Sequence, residues 1–208
     1  TPTFQTNVAG VYTFRLTVLD ETGEASCVPA ELSVYVVPDQ ALHVELLWST
    51  PGDPDESDEV GADLDLHFVD PLAAPPGYFD IPFDCFWANK QPNWGSIDAT
   101  AGDDPGLDLD DTDGRGPENL NFDRPEEGKR YCLAAHVWDD RNFGPSHATV
   151  RIYQHGNLTF ERTDVALAKH DLWEVACIAW PGAIVEDLAA GGTEKITHDF
   201  MNADFLQP

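Results

Sequence analysis

Apolar residues recur at every second position through most of this chain, the spacing of half-buried β-strands. In 11–19, Tyr12, Phe14, Leu16 and Val18 share one face. Asp20 to Gly23 supply a turn, and a return strand from Leu32 to Val37 ends at Pro38. After the short linker Pro38-Asp39-Gln40, Leu42, Val44, Leu46 and Trp48 begin a new alternation. An acid-, Pro- and Gly-rich loop from Thr50 to Gly61 leads into ADLDLHFVD. That strand puts Leu64, Leu66 and Phe68 on one face and Asp63, Asp65 and His67 on the other. From Arg130 onward, RYCLAAHVW, ATVRIYQH, LTFERT and LWEVACIAW read as four more strands, with Gly156-Asn157 as a tight hairpin. The tail after Pro181 reads as one further strand or a wrapped extension. The pattern predicts an all-β chain in two parts, 1–40 and 41–208.

The 208 residues are 42% hydrophobic and 11% aromatic, enough to build a core. The formal charge of −27 argues against nucleic acid or an anionic membrane surface as a partner and makes cations the expected companions. Asp contributes 25 of the 38 acids and Lys only four of the 11 bases, a bias that suits either calcium loops or a saline habitat. No apolar run reaches 18 residues, and no charged n-region precedes an apolar stretch.

The acids are densest in DDPGLDLDDTDGRGPEN, residues 103–119. Asp103, Asp104, Asp108, Asp110, Asp111, Asp113 and Glu118 surround three glycines there without an intervening Lys. Carboxylates this close repel, so an ordered loop needs a cation between them or must splay them into water. Calcium takes six to eight hard oxygens in flexible geometry and suits this pattern, whereas soft transition metals do not. Asp111-Thr112-Asp113-Gly114 followed by Glu118 echoes a D-x-D-G…E calcium loop without the twelve-residue EF-hand spacing. Asp63 and Asp65, about 7 Å apart along their strand, can reach the same ion. The expected ligands are therefore Asp63, Asp65, Asp111, Asp113 and Glu118, with Asp108 and Asp110 as second choices. A solvated acidic linker and a magnesium site are the alternatives.

Two resemblances extend this reading. Residues 8–38, with G-V-Y-T-F-R-L-T-V-L-D-E-T-G, resemble the end of a PKD repeat, an immunoglobulin-like sandwich with no catalytic role that serves as a spacer or adhesive module. The succession D-L-D-L-H-F-V-D-P, N-W-G, D-D-T-D-G-R-G-P-E-N and Lys129-Arg130-Tyr131, within 42–180, resembles the YfaP-like family of exported bacterial proteins. That resemblance implies a β-sandwich and a cation site on Asp63, Asp65, Asp111, Asp113 and Glu118. Together the two imply a partial immunoglobulin-like sandwich followed by a larger antiparallel one. The expected setting is extracellular or at the surface of a Gram-negative bacterium, with neighbouring domains or subunits of a surface assembly as partners.

Other chemistry is weaker. Tyr78 to Asp98 is an aromatic loop in which Trp87 and Trp94, if exposed beside calcium, would stack on a sugar; large aromatics more often close the end of a sandwich. The seven histidines form no compact metal signature, and serine-hydrolase and nucleotide motifs are absent. A glycosidase carboxyl pair needs an apolar pocket that this sea of acids does not suggest. The expected role is a non-catalytic structural or adhesion module, with a carbohydrate-binding module or a secreted hydrolase domain as alternatives. The even cysteine count fits two disulfides in an oxidising compartment, paired by segment type as Cys27–Cys85 and Cys132–Cys177, with four buried thiols as the alternative. Finally, two strands in 1–40 cannot close a sandwich. The apolar face of Tyr12, Phe14, Leu16 and Val18 is expected to be covered by an absent half-repeat upstream or by strands donated from a neighbour.

Overall fold

A computed structural model describes residues 3–58, 60–73, 77–98, 100–112, 114–182, 184–202 and 205. Among the described residues there is no helix, and the chain is an all-β sandwich built of antiparallel sheets. It divides into two compact units, Thr1–Pro38 and Asp39–Pro208.

In the first unit, β1 (Gly10–Leu16) pairs with β2 (Ala30–Val36), Tyr12 standing opposite Val34 and Phe14 opposite Leu32. The turn between them is closed by Asp20, whose carboxylate accepts the backbone N–H groups of Thr22 and Glu24 and the Thr22 hydroxyl. Along the apolar face of these strands, Phe14 is 39% and Leu16 62% exposed within this chain. Phe4 stands edge-on to Tyr12 and Phe14, at 5.5 Å from each.

The second unit is a two-sheet sandwich. One sheet runs, in spatial order, β10 (Asn157–Leu167), β9 (Ser146–Gln154), β3 (Leu42–Ser49), β7 (Glu118–Phe122) and β6 (Gly106–Leu109). The other runs β12 (Ile184–Asp187), β11 (Leu172–Ala179), β8 (Arg130–Asp139), β4 (Asp63–Val69) and β5 (Asp84–Cys85), with β13 (Lys195–Thr197) also on β11. Period-two alternation sends Leu42, Val44, Leu46 and Trp48 from one sheet against Leu64, Leu66, Phe68 and Leu133 from the other, all buried. Each such side chain contributes about 1.5–3 kcal/mol of burial. The β9–β10 hairpin turns on His155-Gly156, both with positive φ, one residue earlier than the sequence suggests.

The outer face of β4 and β8 is not open to solvent. The segment after β4 and the chain tail fold over it, building a second apolar cluster of Val69, Tyr78, Phe79, Phe86, Ala134 and Leu172, flanked by Trp87, Trp138, Phe200 and Phe205. Tyr78, Phe79, Phe86 and Trp87 of the aromatic loop go here, and Trp94 does not. Trp94 lies in the main core, 5% exposed, stacked near Phe68 and Tyr131, its indole N–H donating to the Pro82 carbonyl at 2.7 Å. The expectation that Trp94 offers a stacking surface is therefore corrected: its ring is buried in the core.

Cys132 and Cys177 face each other across β8 and β11 and form a disulfide, with their Cα atoms 4.0 Å apart. The expected Cys27–Cys85 bond is not formed, and both thiols are free. Cys27 is exposed, whereas Cys85 is sealed in the main core with its Sγ directed at the Lys90 carbonyl, and burial pushes its thiol pKa far up.

Candidate metal centre

The candidate site forms where an edge of one sheet meets the loops of the other. On β4, the alternation that buries Leu64, Leu66 and Phe68 turns Asp63, Asp65 and His67 to the opposite face, in register with Asp139, His136 and Ala134 of β8. Strand β5 pairs only with Phe68 and Val69, so β4 has no such neighbour at Leu66. Glu118, the first residue of β7 in the opposite sheet, accepts the Leu66 N–H through Oε2 at 2.5 Å. Asp110 arrives from the end of β6. Ligand oxygens of Asp65, Asp110 and Glu118 lie within 4.8 Å of one another.

The route of the chain into Glu118 explains the glycines of the acidic loop. Gly116 has φ of +75°, and a Cβ there would sit 2.6 Å from the Trp48 ring and 3.0 Å from the Leu46 carbonyl oxygen. No other residue fits so tight a pass over β3. Beside it, the Arg115 carbonyl accepts the Trp48 N–H at 3.1 Å, and the Arg115 guanidinium pairs with Glu56 at 2.5 Å. The acidic loop is thus pinned to the 50–58 loop, and Glu118 is delivered to the gap between the sheets.

The electrostatics of the cluster are those of carboxylates short of a counter-charge. Asp65 is 3% and Glu118 0% exposed, and among the described residues neither Asp65 Oδ2 nor Glu118 Oε1 has a hydrogen-bond donor. Burial, then the neighbouring charges of Asp63, Asp110 and Asp84, push Asp65 well above the usual carboxylate range. Glu118 rises likewise through burial and the Asp65 charge, against the lowering pull of the Leu66 N–H. Asp63 is pushed up to about 7, by burial first and then by Asp110. Glu118 also faces the Asp110 carboxyl, and two acceptors bond to each other only when one carries a proton. Lys90, at 2.7 Å from Asp110, offsets one charge at the rim. Leaving a buried carboxylate uncompensated costs several kcal/mol. A bound cation removes that cost while keeping all three ionised. The donors are hard oxygens only, which fits Ca²⁺ or Mg²⁺ and not a thiophilic metal.

Of the ligands expected from sequence, Asp65 and Glu118 are in the cluster, together with Asp110, a second choice. Asp63 lines the same cavity and Asp111 is close enough for its charge to act on Asp63. Asp113 lies outside the described residues. Asp108 is a correction: alternation along β6 buries Leu107 and turns Asp108 outward, where it accepts the Asn121 side-chain N–H at 2.6 Å.

In front of the cluster is a cavity of about 180 Å³ lined by Asp63, Asp65, Trp87, Asp110, Thr112 and Trp138. Trp138 was missed in the sequence reading, although alternation in RYCLAAHVW places it on the face of Ala134 and His136. His67 lies deeper, fully buried, its Nδ1 2.6 Å from Asp84, which also accepts the Phe79 N–H at 2.7 Å. His136 is buried with Nε2 at the Phe200 carbonyl, 3.0 Å away, and burial lowers its pKa to about 3. No protein-family model, curated protein or solved structure matches the chain.

Proposed function

We propose that this chain is a non-catalytic, calcium-stabilised structural or adhesion module of an exported bacterial surface or secreted protein. One observation carries the reading: Asp65 of one sheet, Glu118 of the other and Asp110 just past β6 converge within 4.8 Å, with buried oxygens that lack donors among the described residues. A calcium ion on these oxygens would bind β4 to the β6–β7 end of the opposite sheet, at Leu66, where β5 does not extend along β4. Its role is that of a brace. The resemblance of residues 8–38 to a PKD repeat and of 42–180 to YfaP-like proteins supports an exported setting, as does the Cys132–Cys177 disulfide.

Enzyme chemistry finds less support. The His67–Asp84 pair is the arrangement that orients a general base, yet both side chains have no exposure and are walled by Tyr78, Phe79 and Phe86. A substrate has no path to it, and the pair reads as a polar pin within the outer cluster.

The test is thermal unfolding of metal-stripped protein with and without added Ca²⁺. An ion that binds only the folded state stabilises it by about 2.7 kcal/mol at a hundredfold excess over Kd. A clear rise in Tm that EDTA reverses supports the reading; an unmoved transition in both the wild type and Asp65→Asn rejects it.

A further inference from the structure

The residues of the cluster divide by position. Asp65 and Asp110 both belong to the ligand set and line the cavity in front of it, while Glu118 sits behind, against the Leu66 N–H. An ion held by these three therefore has its protein ligands behind and beside it and its remaining coordination directed into the cavity. Calcium takes six to eight oxygens, and three carboxylates, even partly bidentate, leave positions for oxygens from outside the protein.

The far wall of that cavity is not what water alone would call for. Trp87 and Trp138 stand edge to face with centroids 5.6 Å apart. Both rings border a space whose other lining is Asp63, Asp65, Asp110 and the exposed hydroxyl residue Thr112. One side offers a cation and acceptors, the other an apolar ring surface. A pyranose matches both: adjacent hydroxyls serve as metal ligands and the C–H face packs on an indole. The volume, about 180 Å³, is below the roughly 300–1,000 Å³ of pockets for drug-sized ligands and suits one sugar ring.

We propose that this cavity is a calcium-dependent sugar subsite, in which vicinal hydroxyls of a single pyranose complete the coordination of the ion held by Asp65, Asp110 and Glu118 while Trp87 and Trp138 form the stacking wall. The proposal rests on the calcium reading and deepens it. An organic ammonium, which aromatic rings and carboxylates also attract, is the competing occupant; it would displace the metal instead of needing it.

The experiment titrates calcium-loaded protein with methyl α-D-mannopyranoside and L-fucose, which carry adjacent ring hydroxyls, following tryptophan fluorescence and calorimetry. Choline serves as the ammonium probe, and every titration is repeated in EDTA. Saturable sugar binding that EDTA abolishes is expected, weakened at least tenfold in Trp138→Ala and severalfold in Trp87→Phe, which trims the stacking wall to a smaller ring. The calcium-induced rise in Tm should survive in both variants, which also reports that they fold. If calcium raises Tm but neither sugar binds, or if sugar binds equally in EDTA, the subsite is overturned while the calcium brace stands. Choline binding in EDTA with no sugar binding in calcium assigns the cavity to an ammonium and overturns it too. If calcium leaves Tm unmoved, the brace and the subsite fall together.

Discussion

Glu118 and Leu66 belong to opposite sheets, yet the Glu118 carboxylate accepts the Leu66 N–H at 2.5 Å and caps the edge of β4 where β5 does not reach. The second Glu118 oxygen is left without a donor beside Asp65 and Asp110. One oxygen thus performs a structural task and the other is free to hold a cation.

These two roles separate in a single substitution. Glu118→Gln keeps a carbonyl oxygen for Leu66 and removes the charge, so in EDTA the variant should be as stable as the wild type or more so, since one buried charge is gone. Added Ca²⁺ should then raise its stability by far less than the roughly 2–3 kcal/mol expected for the wild type near a hundredfold excess. Glu118→Ala removes both roles and should be destabilised even in EDTA. Equal calcium shifts in wild type and Glu118→Gln would place the ion elsewhere.

The parts of this fold that were legible in the sequence are those governed by local alternation. The strands around Leu42–Trp48, Leu64–Phe68 and Arg130–Trp138 all have period two, and Asp65 fell on the correct face for that reason. Glu118 was reached by its motif. The misassigned residues share a different cause. Strict alternation would put Asp108 and Asp110 on one face, and the register shift between Leu107 and Leu109 in the β6–β7 pairing, which no local pattern announces, separates them. Trp87 and Trp94 are seven residues apart in the same irregular loop, and which of them enters the core depends on contacts with Phe68 and Tyr131, both distant in sequence. Pairing cysteines by segment type succeeded for Cys132–Cys177, which share neighbouring strands, and failed for Cys85, whose burial no local pattern announces.

The disulfide closes a 45-residue separation between β8 and β11. Chain-entropy arguments assign such a loop about 4 kcal/mol of stabilisation. Replacing Cys132 and Cys177 together by Ala should lower the urea midpoint accordingly without changing the calcium-induced increment, because the cluster lies on β4 and β7. In the native wild type a thiol reagent should modify Cys27 rapidly and Cys85 only on unfolding. A native protein with two equally reactive thiols, or none, contradicts this assignment.

The two tryptophans of the aromatic loop should respond unequally to substitution. Trp94→Ala empties a ring-sized volume between Phe68, Phe122 and Tyr131 and strands the Pro82 carbonyl, at a cost of about 3–5 kcal/mol. Trp87 is only half-buried at the cavity rim, and its replacement by Phe should cost well under half as much, since its N–H has no partner to lose. Denaturant unfolding of both variants decides it, and comparable losses would mean that Trp87 is core.

The chain tail carries a pH-dependent contact. His198 Nδ1 lies 2.7 Å from Asp171, and next to it the Phe200 N–H donates to the His170 carbonyl, so the tail docks on the β10–β11 loop. Hydrogen bonding to Asp171 first, its charge second and the Asp199 charge last raise the His198 pKa above its usual 6.5, against a small opposing effect of desolvation. A histidine whose folded pKa exceeds its unfolded value binds its proton more tightly when folded. Its contribution is therefore fully present below about 6.5 and disappears as pH rises through the raised value. Because His198 is open to solvent and salt screens it, the effect belongs to the tail and not to global stability. Nuclear magnetic resonance titration should find one imidazole with an elevated pKa that returns to the ordinary range in Asp171→Asn. Amide exchange at Phe200 should quicken above neutral pH in the wild type, and in His198→Gln it should lose that excess acceleration, leaving only the intrinsic pH dependence of exchange. An ordinary His198 pKa in the wild type would mean that the ion pair does not hold the tail in solution.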